Sequence, residues 1–182
     1  LGDGTLWKVE SGTWTIDTAS RAKGLTGALL NDTAVIDFNG VLMASKVMKP
    51  RLFTKIRTNR STDFKAMAAL RGTSDNEMAY VSFDTASALG GVFGCITGGV
   101  ETKTDFAWTQ TIDSIGVEII SDGTSFYFWL LMSNNTSTYL GSITTNVPAG
   151  YLQPYIKFQS LTTSALAGTV WLVLLNAQQM SG

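Results

Sequence analysis

Apolar and polar positions alternate along short stretches of the chain, which is the pattern of β-strands. Ile115, Val117 and Ile119 share one face of such a strand, while Gly116 and Glu118 share the other, so Glu118 is expected to face solvent. Twelve segments of this kind are separated by turns rich in Gly, Asn, Asp and Ser. They span residues 6–9, 13–17, 34–38, 41–48, 52–59, 63–70, 79–83, 92–96, 115–120, 125–132, 151–159 and 169–176. The pattern predicts an all-β sandwich.

Turn signals support this assignment and define its weakest region. The clearest turn is Asp122-Gly123, between two strong strands, because both residue types tolerate a positive φ. Segment 84–104 is rich in Gly and Ala and alternates weakly, so we predict a long loop that carries one short strand. The sequence shows no internal repeat and no linker, and we therefore predict that residues 1–182 form a single domain.

Composition narrows the chemistry that the chain can perform. The sequence has no histidine, which is the usual general base and the commonest zinc ligand, and its single cysteine, Cys95, has no partner for an internal disulfide. The one Asp-x-Glu pair, Asp75-Asn76-Glu77, lies between two predicted strands, so no such pair places two acids on one strand face, as a glycoside hydrolase would favour. We therefore expect a protein that is not an enzyme and that needs no cofactor. Asp32, Asp37 and Asn39 lie close in the sequence and are interpreted as turn residues, with a structural calcium site as the alternative. The longest apolar runs are strand-sized, so no membrane span is expected.

Charge is almost absent from the end of the chain. Residues 123–182 carry one charged side chain, Lys157, although 15% of the whole chain is charged. Two strands in this region are apolar on both faces, which predicts that both faces are covered. The cover is either the chain's own loops, a neighbouring subunit or a ligand. If it is a subunit, the interface residues are Trp129, Leu131, Trp171 and Val173.

Basic residues concentrate in a different region. Residues 46–71 hold eight Lys and Arg side chains and one acid, Asp63. Counting by twos places Arg51, Lys55 and Arg57 on one strand face, where they form a basic stripe. The stripe is either a docking surface for phosphate, an acidic glycan or an acidic protein, or a solvated face neutralised by acids on neighbouring strands. Nucleic acid is not expected, because the net charge is −1 and no binding motif is present.

A mixed aromatic and amide surface is the candidate for sugar recognition. Aromatic rings pack on the C–H face of a sugar, and planar amides bind its hydroxyl groups. One strand of the C-terminal region presents such residues at alternate positions, and a second strand adds two aromatic rings. Together they predict a carbohydrate-binding platform of Tyr127, Trp129, Gln153, Tyr155 and Lys157.

Several segments resemble the concanavalin A-like lectin and glucanase superfamily, including its laminin-G-like members. The resemblance rests on Trp7 with residues 11–16, on residues 64–72 followed by 78–83, on residues 115–128 with their turn, and on residues 148–158 followed by 168–175. It implies an antiparallel jelly roll of two curved sheets. Members of the superfamily bind glycans, hydrolyse glucans or serve as structural appendages of cells and viruses.

These observations lead to one main functional hypothesis and two alternatives. The main hypothesis is a non-catalytic surface module that self-assembles, with a trimer favoured, or that decorates a larger particle such as a phage capsid or tail. Its partners would be further copies or other virion or surface proteins, and its location the virion surface or the extracellular space. The alternatives are a carbohydrate-binding module and an unusual glycan hydrolase.

Overall fold

A computed structural model describes residues 7–16, 21–38, 40, 43–109, 113–132 and 136–177. These residues form short antiparallel strands and one three-residue 3-10 helix, Lys46–Met48. No helix in the described part of the chain is long and apolar enough to cross a bilayer. The strands are β1 Lys8–Ser11, β2 Thr13–Ile16, β3 Ala22–Leu25, β4 Thr33–Asp37, β5 Ala44–Ser45, β6 Arg51–Thr58, β7 Phe64–Arg71, β8 Met78–Asp84, β9 Gly90–Thr97, β10 Val100–Ala107, β11 Ile115–Ser121, β12 Phe126–Leu131, β13 Ser137–Ile143, β14 Tyr151–Ser160 and β15 Ala167–Asn176.

The strands form two antiparallel sheets that pack face to face. The eight-stranded sheet has the order β1-β4-β14-β7-β8-β9-β10, and β5 also pairs with β14. The seven-stranded sheet has the order β13-β12-β11-β6-β15-β3-β2. The all-β, two-sheet antiparallel sandwich predicted from the sequence is confirmed.

Aromatic side chains from both sheets fill the space between them. On β12, Phe126, Phe128 and Leu130 are buried and alternate with half-buried outward residues. The ring centroid of Phe128 lies 5.0 Å from that of Phe93 on β9, which belongs to the other sheet. One continuous hydrophobic core therefore joins the sheets, and every second residue of the central strands contributes to it.

The prediction of a long loop over residues 84–104 is wrong, although the short strand predicted within it, residues 92–96, lies inside β9. The structure has a hairpin there, formed by β9 and β10, with eight register pairs from Val100↔Thr97 to Ala107↔Gly90. Its turn is Gly98-Gly99, and both glycines have positive φ, 57° and 80°. A two-residue turn with two positive φ angles matches the twist of antiparallel strands, and glycine adopts these angles without steric cost.

The hairpin predicted at Asp122-Gly123 is present between β11 and β12. The Asp122 carboxylate accepts hydrogen bonds from the backbone N–H groups of Ser125 and Thr124, each 2.8 Å long, and from the Tyr127 hydroxyl at 2.8 Å. These bonds stabilise the charged form, with those from the backbone contributing most, and hold the pKa of Asp122 well below its usual range. The turn is therefore fixed by its own side chain.

Three strands were not predicted, and one predicted strand is shorter than expected. The unpredicted strands are β3, β10 and β13. In the segment predicted as a strand over residues 41–48, positions 41–42 lie outside the described residues, and the strand itself is only Ala44–Ser45 before the 3-10 helix begins. The sequence pattern missed these strands because β10 and β13 lie at sheet edges and β3 lies next to one. Fewer side chains are buried at such positions, so the alternation of apolar and polar residues is weak.

Cys95 lies inside the core. Its side chain is fully buried on β9, and burial raises the pKa of its thiol to about 12. The thiolate, which is the reactive form, is therefore absent at neutral pH. Cys95 is a small core residue and has no place in a functional site.

Candidate functional site

The outward side of the seven-stranded sheet, which we call the open face, carries two depressions. On β6, alternate side chains point away from the core, as the basic stripe requires. The outward residues are Arg51, Phe53, Lys55 and Arg57, and the buried ones between them are Leu52, Thr54 and Ile56. The predicted facing of this strand is therefore correct.

A row of side chains crosses four strands of the open face. Tyr139 pairs with Trp129, Trp129 with Glu118, and Glu118 with Phe53, so one residue from each of β13, β12, β11 and β6 lies in register. The ring centroids of Tyr139 and Trp129 are 4.7 Å apart. We call these four residues the cross-strand row. It covers three strand spacings, about 14 Å.

Glu118 occupies the middle of the cross-strand row. Its place on the outward face agrees with the sequence pattern, but the prediction that it faces solvent is wrong, because only 8% of the residue is exposed. Its Oε1 accepts a hydrogen bond from Arg51 Nε at 2.5 Å, and this ion pair compensates the buried charge. Part of the basic stripe is thus neutralised by a neighbouring strand, as the sequence allowed.

The Arg51–Glu118 pair lines the first of the two depressions, which we call the central depression and whose volume is about 390 Å³. The other lining residues are Phe53, Leu131 and Asn176. The depression therefore combines apolar surface with donors from a guanidinium group and an amide, and with acceptors from a carboxylate. Such a mixture suits a ligand that has both C–H faces and hydroxyl groups.

A second depression, of about 380 Å³, lies toward the other end of the open face. It is lined by three cations and an indole, Arg21, Lys23, Arg57 and Trp171, which we call the cationic pocket. Thr58, Asn59, Ala167 and Thr169 complete its lining. The Arg21 guanidinium carbon lies 5.5 Å from the centre of the Trp171 ring, within the range of a cation–π interaction.

The structure divides the predicted interface residues between the two sides of the sheet. Trp129, Leu131 and Trp171 lie on the open face, but Val173 pairs with the inward-facing Thr54 and packs against the core. A β-bulge between Val170 and Leu172 inserts one extra residue and reverses the alternation. The assignment of Val173 to the same face as Trp171 is therefore wrong.

The predicted sugar-binding platform does not assemble as one surface. Tyr127 and Trp129 belong to β12 of the seven-stranded sheet, whereas Gln153, Tyr155 and Lys157 belong to β14 of the eight-stranded sheet. The two groups lie on opposite outer faces of the sandwich. Tyr127 also has a local role, because its hydroxyl donates to Asp122, and this bond raises the pKa of the phenol.

On the eight-stranded sheet the predicted residues face outward but are covered. Tyr155 is 3% exposed, and the Arg71 guanidinium lies 4.4 Å from its ring centre. Gln153 is also buried: its Oε1 accepts from Gly40 N at 2.6 Å, and its Nε2 donates to Asp37 Oδ2 at 3.2 Å. Lys157 lines a cavity of only about 50 Å³. Their side chains therefore stabilise the sheet and offer no open stacking surface.

Sequence reasoning missed several residues of the open face. Phe53 and Tyr139 join the cross-strand row, Asn176 lines the central depression, and Arg21 and Lys23 line the cationic pocket. Phe53 was visible in the alternation of β6, but Tyr139 and Lys23 lie on strands that the pattern did not reveal. Among the described residues, no group of three or more His, Cys, Asp or Glu side chains is placed to hold a metal ion.

Comparison with known proteins shows similarity in structure alone. No family model matches the sequence, and no curated protein matches it. The structure is similar to a Bacillus licheniformis β-glucanase, with a TM-score of 0.72, 8% identity, and coverage of 98% of this chain and 95% of that one. It is also similar to a Lotus tetragonolobus seed lectin, with a TM-score of 0.68, 10% identity, and coverage of 98% of this chain and 96% of that one. For the carbohydrate binding module CBM66 from Bacillus subtilis, the TM-score is 0.66, the identity is 11%, and the coverage is 95% of this chain and 96% of that one.

These similarities show that the chain has the concanavalin A-like jelly-roll fold, as the sequence resemblance implied. At such low identity they show the fold and nothing more. We correct the expectation that the protein is not an enzyme. A β-glucanase has the same fold, so the fold does not exclude catalysis. A shared fold supports binding proteins and catalysts alike, so function has to be argued from the site.

Proposed function

We propose that this protein binds carbohydrate through the open face of its seven-stranded sheet. The observation that supports this most directly is the cross-strand row, in which Trp129 and Phe53 flank Glu118 beside a depression of about 390 Å³. The fold is shared with a seed lectin and a carbohydrate binding module. Similarity in fold raises the expectation of sugar binding, and the row supplies a surface on which it can occur.

The aromatic members of the row suit the apolar side of a sugar. Trp129 and Phe53 are half-buried, so each ring is held in place and still has accessible surface. Tyr139 is 47% exposed and supports Trp129 from the edge strand. Because the row covers about 14 Å, an oligosaccharide that lies across the strands contacts several rings at once. Rigid aromatic side chains lose little conformational entropy when they bind.

The polar members of the site suit the hydroxyl groups. Arg51 has a side chain that is 60% exposed, so part of its guanidinium group still reaches solvent while Nε holds Glu118. Asn176 lines the same depression and adds an amide. A guanidinium group is a planar donor, and an amide donates and accepts. Fixed polar groups beside fixed rings orient a ligand whose two sides differ in polarity.

Trp129→Ala is expected to weaken glycan binding by about tenfold, since one aromatic contact with its buried area contributes about 1.4 kcal/mol. The ligand is first identified on a glycan array, and its affinity for both proteins is then measured by titration calorimetry. The matched control is Tyr151→Ala, which removes a 63% exposed aromatic ring from the eight-stranded sheet. An equal loss in both variants, or no retained glycan, contradicts the proposal.

A more specific role, self-assembly or decoration of a particle such as a virion in the extracellular space, is a second proposal. It is favoured by Trp171 and Leu131, which place half-buried apolar surface on the open face. We expect Trp171→Asp to dissociate an oligomer, because it introduces a charge into an apolar contact. Light scattering at micromolar concentration measures this. A native protein that is monomeric alone and with candidate particles contradicts the second proposal.

A further inference from the structure

We propose that the cationic pocket binds the carboxylate groups of an acidic, uronate-containing polysaccharide. This inference rests on the proposed function, because it assigns a ligand class to the same open face. The pocket brings Arg21, Lys23 and Arg57 together around one depression of about 380 Å³. Carboxylates are recognised by guanidinium and ammonium groups through charge-assisted hydrogen bonds.

The strand register fixes the spacing of these cations. Arg57 on β6 pairs with Thr169 on β15, and Thr169 pairs with Lys23 on β3. Two strand spacings, about 10 Å, therefore separate the backbones of Arg57 and Lys23. Both side chains are exposed and line the same depression, one from each of the two strands that flank β15. The cations form an array that is set by the sheet and does not depend on a flexible loop.

Trp171 positions the third cation. It is the extra residue that the β-bulge of β15 inserts, and it lines the pocket on the open face while its neighbour Val170 stays in the core. The Arg21 guanidinium group lies over its ring at 5.5 Å. This contact restrains the long Arg21 side chain at the rim of the pocket, which reduces the entropy lost when a ligand binds. Trp171 is therefore a positioning residue for Arg21.

The surrounding groups favour a sugar over a simple anion. Thr58, Asn59 and Thr169 place hydroxyl and amide groups beside the cations. Asp113 lines a crevice that shares Arg57 and Thr58 with this pocket. The cationic pocket thus offers guanidinium, ammonium, hydroxyl and amide groups side by side, which suit a ligand that carries both carboxylates and hydroxyl groups.

The cationic pocket and the cross-strand row lie on the same face of the sheet. Phe53 and Arg57 lie on the same face of β6, four residues apart, which corresponds to about 13 Å along the strand. Lys55 lies between them with its side chain on that face. A polysaccharide reaches both regions, with ring faces against Phe53 and carboxylates at Arg57. A phosphate ion fills only the pocket.

The test compares a polygalacturonate oligomer with the same oligomer after its carboxyl groups have been reduced. Titration calorimetry is carried out at low and high salt with the native protein and with Arg57→Gln. We expect the native protein to prefer the acidic oligomer, and Arg57→Gln to bind it about tenfold more weakly with a smaller salt dependence. Binding of the reduced oligomer should not change. Trp171→Ala should weaken binding of the acidic oligomer by about threefold. In a protein that already carries Arg21→Gln, Trp171→Ala should not change this binding further.

Lys103→Gln is the matched control, since it removes one exposed cation from the eight-stranded sheet. If it weakens acidic binding as much as Arg57→Gln, the attraction is unspecific and the inference is overturned. If both oligomers bind equally and only Trp129→Ala weakens them, the inference fails while the proposed function stands. If no glycan binds to any form of the protein, both fail. A DNA oligonucleotide that displaces the acidic oligomer at equal charge concentration also overturns the inference.

Discussion

Phe128→Ala is expected to lower the free energy of unfolding by about 3–5 kcal/mol, one of the two largest effects anticipated for a single substitution in this protein. The ring is fully buried at the centre of β12 and lies 5.0 Å from Phe93 of the opposite sheet. Truncation removes contacts on both sides of the sandwich and leaves a cavity that β-strands cannot easily close. The loss is a large fraction of the stability of an ordinary domain.

Urea unfolding and calorimetry measure the effect, which corresponds to a fall of about 10 °C in Tm. Phe128→Leu serves as the conservative comparison and should cost about 1–1.5 kcal/mol, since most of the apolar volume remains. Leu29→Ala, at a position that is 70% exposed, should change stability by less than about 0.5 kcal/mol. If Phe128→Ala lowers the free energy of unfolding by no more than Leu29→Ala does, the two sheets do not pack against each other through this ring.

The central strands were predictable because burial imposes a period of two on their sequences. On β12 and β6 the buried and outward residues alternate without interruption, and the hydrophobic pattern follows them. The edge strand β10 gives no such signal, because it carries Glu101, Lys103 and Asp105 at alternate positions and exposes most of its residues. Charges protect an edge from pairing with other chains. Because of the same charges, β10 lacks the alternation of apolar and polar residues by which a strand is predicted from sequence.

The site was predictable in part, and the errors have two physical causes. The basic face of β6 was found because period-two counting holds along an uninterrupted strand. Val173 was misplaced because the bulge after Val170 reverses the alternation, and no residue in that segment marks a bulge. Tyr155 was combined with Trp129 because the sequence does not state which strands share a sheet. Sheet membership is decided by long-range pairing, and that information appears only in the folded chain.

Arg71→Met is expected to destabilise the protein by about 3 kcal/mol, because it removes a positive charge that lies beside the buried carboxylate of Asp37. The Arg71 side chain is 12% exposed on the outer side of the eight-stranded sheet. Its Nη1 lies 3.0 Å from Glu10 Oε2 and 4.0 Å from Asp37 Oδ2, and its Nε lies 2.7 Å from Asp75 Oδ1. Methionine keeps the apolar stem over Tyr155 but removes the charge.

The charge of Arg71 is present throughout the accessible pH range. Burial by itself would lower the pKa of Arg71, but the carboxylates of Asp75 and Glu10 raise it above its ordinary value. A raised pKa in the folded state means that the stabilisation is complete below the unfolded value, and so at neutral pH. The cost of Arg71→Met is therefore expected to come from the acids that remain, chiefly Asp37, which is 2% exposed.

A double-mutant cycle isolates this interaction. Asp37→Asn in the Arg71→Met background should restore about half of the lost stability, because the amide removes the buried charge and keeps the volume. The amide oxygen at this position can still accept the hydrogen bond from Gln153 Nε2. Lys103→Met, which breaks an exposed pair with Glu101, should cost no more than about 1 kcal/mol. Two results would contradict this expectation: a loss of stability in Arg71→Met no larger than in Lys103→Met, or a further loss when Asp37→Asn is added. Either would mean that the ion pairs of Arg71 contribute no more than an exposed surface ion pair.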